Sequence, residues 1–225
     1  MRIRADFDQP ALVHTDKLDW AASPMAGVDR RMLDRVGDEV ARATSIVRYA
    51  PGSHFSQHSH DGGEEFVVLE GVFQDEHGDY PAGTYVRNPI GTHHIPRSET
   101  GCTIFVKLWQ FDPEDDDQFA IDLGACELSS DIETPDRRKV LLVDRSDEQV
   151  SLEQWQAGAV MGAGELDGAE ILVLDGDLAI GDESYGRQDW LRFPVDSADS
   201  AKIGANGARL WIKRRHLRSI RIPGE

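Results

Sequence analysis

The segment Glu65-Phe66-Val67-Val68-Leu69-Glu70-Gly71 returns as Glu170-Ile171-Leu172-Val173-Leu174-Asp175-Gly176, an offset of 105 positions (176 − 71). At that offset Tyr80 meets Tyr185, Tyr85 meets Trp190 and Pro89 meets Pro194, and Lys107 meets Lys213 one residue further out. Self-similarity at a fixed, domain-sized period restricts the chain to two copies of one structural unit. The apolar runs, at 45–49, 65–69, 103–106, 140–143, 171–174 and 210–212, are short and rich in β-branched residues, which reads as strands. Turn signals such as Pro51-Gly52, Asp61-Gly62-Gly63, Pro81-Ala82-Gly83 and Asn206-Gly207 separate them at the intervals of an all-β sandwich or barrel. The spacing of Met32, Leu33 and Val36 predicts one helix, from Asp29 to Val40.

Composition narrows the function. The 225 residues carry 24 basic and 41 acidic side chains, a formal net charge of −17. That balance excludes nucleic-acid binding through overall charge, which requires a concentrated basic face. No apolar stretch approaches the roughly 20 residues of a membrane span, and the start, Met1-Arg2-Ile3-Arg4-Ala5-Asp6, lacks the apolar core of a secretory signal, so a cytoplasmic protein without a membrane partner is expected. Cys102 and Cys126 are the only cysteines. They cannot build a disulfide framework or a cysteine-based zinc knuckle, so a metal would have to be held by histidine and carboxylate. The run Asp112-Pro113-Glu114-Asp115-Asp116-Asp117, with no basic residue before Arg137, predicts a solvated acidic linker over 113–137. It would join a first domain at 1–112 to a second at 138–225.

Histidine concentrates in Gly52-Ser53-His54-Phe55-Ser56-Gln57-His58-Ser59-His60-Asp61-Gly62-Gly63-Glu64. In a strand, residues two apart share a face and lie about 6.6 Å apart along the axis, so His58 and His60 can converge on one ion. Glu64 follows a Gly-Gly turn at the head of a very apolar strand, where a carboxylate is expensive to bury without a cation. Asn88-Pro89-Ile90-Gly91-Thr92-His93-His94 supplies a further donor, and only one of its adjacent histidines can face the same way as the others.

These residues resemble the cupins, whose first motif, G-x5-H-x-H-x3-E-x6-G, is matched by Gly52, His58, His60, Glu64 and Gly71. The second, G-x5-P-x-G-x2-H-x3-N, is matched by Gly83, Pro89, Gly91 and His94, with Ser98 in place of the final Asn. The resemblance implies two tandem cupin barrels, each a double-stranded β-helix or jelly roll. It also implies one divalent metal ion on His58, His60, Glu64 and His94, zinc first, with iron(II), manganese or nickel as alternatives, and a homodimer. Strand alternation agrees with Glu64 over Glu65. The surrounding wording, notably residues 64–76 and 98–102, is similar to the cupin domain of ChrR-type anti-sigma factors. In those proteins a helical zinc domain grips the sigma factor, and nothing like it precedes the motif here, so a sigma-factor partner is not expected.

Shifted by 105, the four donors fall on Ala163, Glu165, Ala169 and Asp199, which predicts a second copy without a metal. His54 is expected at a pocket rim or in the core. His14, His77, His93 and His216 are expected at the surface or in structural roles, and Cys102 as a small buried residue. Arg48 and Lys107 offer positive charge either to an anionic ligand inside the barrel or to surface pairs. The basic ending Lys213-Arg214-Arg215-His216-Leu217-Arg218 is expected to balance the protein's own carboxylates. Two functions follow: a metal-binding regulator or sensor in oxidative-stress response, or a non-haem metal-dependent dioxygenase for a small diketone or hydroxyketone bound in the first barrel.

Overall fold

The computed structural model describes residues 1–38, 40–130 and 132–224; Glu39, Asp131 and Glu225 lie outside it. The described chain is almost wholly β-structure, and its strands pair antiparallel throughout. None of its helices is long and apolar enough to cross a membrane. It divides into two units, one of residues 1–5, 18–125 and 221–225, the other of residues 6–17 and 126–220. Of the stretch expected as a linker, 113–125 therefore belongs to the first unit and 126–137 to the second. Asp115 is buried and paired with Arg87 rather than solvated. Residues 11–13, expected in the first domain, add an edge strand to Trp190–Arg192 of the second unit.

In the first unit, Val28–Gly37 pairs with Ala41–Tyr49, which pairs with Cys102–Leu108, then Glu64–Gln74, Thr84–Asn88 and Phe119–Asp122. The helix expected from Asp29 to Val40 is thus a strand, with its position 39 outside the described residues. The reason is a bulge between Met32 and Asp34, where the register shifts by one. The extra residue breaks the alternation of two and gives Met32, Leu33 and Val36 a spacing that imitates a helix.

Cross-strand register places side chains in rows. Val47, Ile104, Val68 and Val106, Phe66, Val86 face inward and form the core with Phe55, Phe73 and Cys102. The alternate residues face the other way. There Asp34, Thr44, Lys107, Glu65 and Arg87 stand opposite one another in a single row, all buried. Tyr85 donates its hydroxyl to Glu65 Oε2 at 2.6 Å, Arg87 approaches the same oxygen at 3.4 Å, and Lys107 donates to Thr44 Oγ1 at 3.0 Å. Arg87 also lies 4.4 Å from the centre of the Phe111 ring. Charges of alternating sign across neighbouring strands attract, and burial makes each dependent on the others.

The second unit repeats this row. Glu170 stands between Arg192 and Lys213, accepts from Trp190 Nε1 at 2.7 Å, and meets His216 Nε2 at 3.0 Å. Arg192 lies 4.4 Å from the centre of the Phe7 ring. Both units also need glycine at one matched place: Gly71 (φ 71°) and Gly176 (φ 72°) sit where a Cβ would fall 2.0 Å from the Gly101 and Gly207 carbonyl oxygens. The core of this unit holds Trp155, Met161, Leu166, Ile171, Phe193 and Leu210, all fully buried.

Removing Glu65 leaves buried cations on either side of it. Glu65→Ala should cost about 3–5 kcal/mol of stability, read as a shift in the urea midpoint. Glu70→Ala, at an exposed position of the same strand, should stay within about 0.5 kcal/mol.

Candidate metal centre

Three short pieces of chain bring the donors together. His58–Ser59 pairs antiparallel with His93–His94, which sets His58 opposite His94. His60 follows on the same face as His58, and its backbone N–H is fixed by the Thr92 carbonyl at 2.9 Å. Glu64 opens the next strand opposite Asn88. The turn between them needs both glycines, because a Cβ on Gly62 would meet the Trp109 ring at 2.2 Å and one on Gly63 would meet Phe111 at 2.4 Å.

Donor atoms of His58, His60, Glu64 and His94 all lie within 4.8 Å of one another. His94 Nε2 is 3.2 Å from both His58 Nε2 and His60 Nε2, and Glu64 Oε1 is 3.5 Å from His60 Nε2 and 3.7 Å from His94 Nε2. The nitrogens behind them set the tautomers. Thr92 Oγ1 donates to the Pro89 carbonyl at 2.6 Å, so at 2.9 Å from His60 Nδ1 it accepts, and the proton of His60 sits on Nδ1. His94 Nδ1 faces Asp75 Oδ2 at 3.4 Å, which holds its proton on the same side. Asp75 is in turn oriented by the backbone N–H groups of His77 and Gly78 and by the Tyr80 hydroxyl. Two buried imidazoles thus aim lone pairs at the point where the Glu64 carboxylate and His58 also arrive. Acceptors converging with no hydrogen between them fit a cation, and the imidazole and carboxylate donors suit a divalent metal.

Electrostatics agree with this assembly. Burial lowers the pKa of His60, against the pull of Glu64. Burial also opposes the charged form of His94, but the Asp75 carboxylate that faces its Nδ1 and the charge of Glu64 outweigh it and the pKa is raised. A cation must displace that proton, so metal affinity should rise as pH is raised through the elevated His94 pKa.

His58, His60 and Glu64 line a cleft of about 290 Å³, together with Trp109, Leu108, Arg30 and Arg35. His54 and His93 are exposed and do not join the cluster. His77 is exposed as well, and His216 is buried against Glu170. His14 stacks on Tyr185 at 4.6 Å, faces Glu183 and Asp189 with its two ring nitrogens, and forms with Asp16 and Asp189 a separate group of three potential donors. Of the second-copy positions, Glu165 pairs with Arg137 and Arg214. In the basic ending, Lys213, Arg214, Arg215, His216 and Arg218 each meet a carboxylate of the protein. Arg48 and Lys107 do not face the barrel interior. Arg48 is exposed and bonds Asp29 at 2.8 Å, whereas Lys107 is buried in the outward row. The positive charge inside comes from Arg30 and Arg35, which sequence reasoning missed.

The fold and the donor set are those of a cupin. Residues 8–112 match the family model of the ChrR Cupin-like domain. Among solved structures, the chain is similar to a candidate dioxygenase from Nostoc punctiforme at 15% identity and a TM-score of 0.74, covering 95% of this chain and 85% of that one. A cupin 2 conserved barrel domain protein from Leptotrichia buccalis matches at 10% identity and 0.60, covering 94% and 98%. Bacterial pirin YhhW from Escherichia coli, solved in complex with nickel(II), matches at 14% identity and 0.63, covering 91% and 98%. At these identities the likeness is one of fold. No curated protein matches the chain in sequence.

Thr92→Val removes the acceptor that fixes the His60 tautomer. It should weaken metal binding about 10- to 100-fold with the fold intact, measured by competition against a chromophoric chelator. His93→Ala should leave metal binding unchanged.

Proposed function

We propose that the first unit holds one divalent metal ion on His58, His60, Glu64 and His94 and acts on a small oxygen-rich ligand in the adjoining cleft, as a metal-dependent oxygenase of the cupin type. The observation that carries this reading is that three of the four donors, His58, His60 and Glu64, line an open cleft, whereas a purely structural metal site is closed around its ion. When bound, the metal would polarise the oxygens of a chelating ligand and supply open positions for it. The protein does the rest. Asn88 donates to Glu64 Oε1 at 3.3 Å, holding the carboxylate where it can accept a proton from an enolisable ligand. Phe73, with its ring centre 5.7 Å from that of His94, and Phe66 behind it keep the inner side of the site dry.

A second reading, a sensor of the ChrR type in oxidative-stress response, draws on the family match over residues 8–112. In that reading a bound small ligand, and not the Cys102 thiol, carries the signal. Burial pushes the Cys102 thiol up to about 11, so it lacks the thiolate needed for oxidation.

Elemental analysis of protein purified without added metal or chelator separates the readings. One equivalent of iron, manganese or nickel, with oxygen uptake in the presence of a small diketone or hydroxyketone, supports the oxygenase. One equivalent of zinc with no oxygen uptake supports the sensor. His58→Ala should lose the metal in either case, and full retention in that variant would defeat the site.

A further inference from the structure

The cleft beside the four donors carries two cations that the metal chemistry does not employ. Arg30 and Arg35 both line it. They stand five residues apart on one strand, and regular alternation would send them to opposite faces. The bulge between Met32 and Asp34 restores their parity, setting Arg30 opposite Val47 and Arg35 opposite Ala43. Both partners face inward. Arg35 thereby joins the row that runs through Ala43, Leu108, Glu64 and Asn88, the row that carries the metal-facing carboxylate.

The pair is costly as it stands. Arg35 is 8% exposed, and burial followed by repulsion from Arg30 lowers its pKa. Its side chain donates to the Asp38 backbone carbonyl, and the Asp38 carboxylate is exposed and paired with the N-terminal ammonium. Arg30 Nε is buried without a hydrogen-bond partner, and no carboxylate among the described residues forms an ion pair with Arg30. The chain has 41 acidic residues to place beside its 24 basic ones. Two guanidinium groups left facing a cleft are a recognition device for an anion, because their planar forks match a carboxylate.

Resting on the metal-centre reading above, we infer that the ligand of this cleft is a small hydroxy- or oxo-dicarboxylic acid. One end chelates the metal, and the distal carboxylate is held by Arg30 and Arg35. A volume of about 290 Å³ is at the small end of ligand pockets, which suits an acid of four to six carbons rather than a larger molecule. An uncharged diketone would leave the arginines unanswered.

The test is calorimetric titration of the nickel(II)-loaded protein with malate and with 2-hydroxybutyrate, which keeps the chelating end of malate and lacks its distal carboxylate. Malate should bind the wild type at least tenfold more tightly than 2-hydroxybutyrate. Arg30→Gln and Arg35→Gln should each erase that advantage, with 2-hydroxybutyrate affinity and nickel stoichiometry unchanged. Arg30→Lys should keep part of it. If the buried Arg35→Gln variant fails to fold, Arg30→Gln at its half-buried position decides. Equal affinity for the two acids in the wild type, or an undiminished malate advantage in Arg30→Gln, would overturn the inference while leaving the metal centre standing. Failure of the wild type to take up nickel, read separately by metal analysis, would remove the metal reading and the inference together.

Discussion

Glu64 and Glu65 are neighbours in the chain, and the pleat of one strand throws them to opposite faces of the sheet. Both are buried. A buried carboxylate is tolerated only where something positive or hydrogen-donating answers it. Glu65 has Tyr85 and Arg87 in contact and Lys107 opposite on the next strand. Glu64 has one amide from Asn88 and, otherwise, the Nε2 atoms of His60 and His94. With their protons fixed on Nδ1, those nitrogens offer lone pairs and no hydrogen. The lack of a cationic side chain in contact with Glu64 is the physical reason for assigning a cation there. The surrounding turns, short strands and hydrogen bonds are arranged around that point.

Sheet register converts this single alternation into a site. Inward rows supply apolar residues through most of the barrel and then, at its end, the row Arg35, Ala43, Leu108, Glu64, Asn88. The histidines come from outside this sheet, on the small pairing of His58–Ser59 with His93–His94. The carboxylate is thus held by a rigid sheet. The imidazoles are carried on short segments steadied by Thr92, Asp75 and the tight turn at Gly62 and Gly63. Donors from two pieces of structure can close on an ion while leaving one side open to the cleft.

How much of this was legible in the sequence depended on whether a residue's role followed the period of its strand. The repeat at 105 residues and the all-β class rest on pattern alone, whereas Glu64 over Glu65 and His94 over His93 were chosen by the resemblance to the cupin motifs, and the structure brings Glu64 and His94 together with His58 and His60. The stretch 29–40 was misread as a helix because a bulge inserts one residue and corrupts the period of two. Arg30 and Arg35 were hidden inside that apparent helix, and Arg48 and Lys107 remained as the apparent candidates for charge inside the barrel. The acidic run at 112–117 carried no sign that Asp115 would be buried on Arg87, a partner 28 positions away. Nor could composition show that residues 6–17 belong to the second unit, because edge pairing to a distant strand leaves no local pattern.

Comparing the two units separates what the fold requires from what the first unit adds. Glu65, Arg87 and Lys107 return as Glu170, Arg192 and Lys213, with the same cross-strand pairing and an aromatic ring 4.4 Å from each arginine. The bend at Gly71 returns at Gly176 with the same left-handed backbone. His58, His60, Glu64 and His94 return as Ala163, Glu165, Ala169 and Asp199; Glu165 is taken up by Arg137 and Arg214, and Asp199 accepts from the Ser197 hydroxyl. A residue needed for folding should persist in both copies, and one that the fold does not need is free to change in either. By that criterion the outward row of charges belongs to the architecture. The four donors are not part of it, because the second unit keeps the same row and a buried apolar core with Ala163, Glu165, Ala169 and Asp199 in their places.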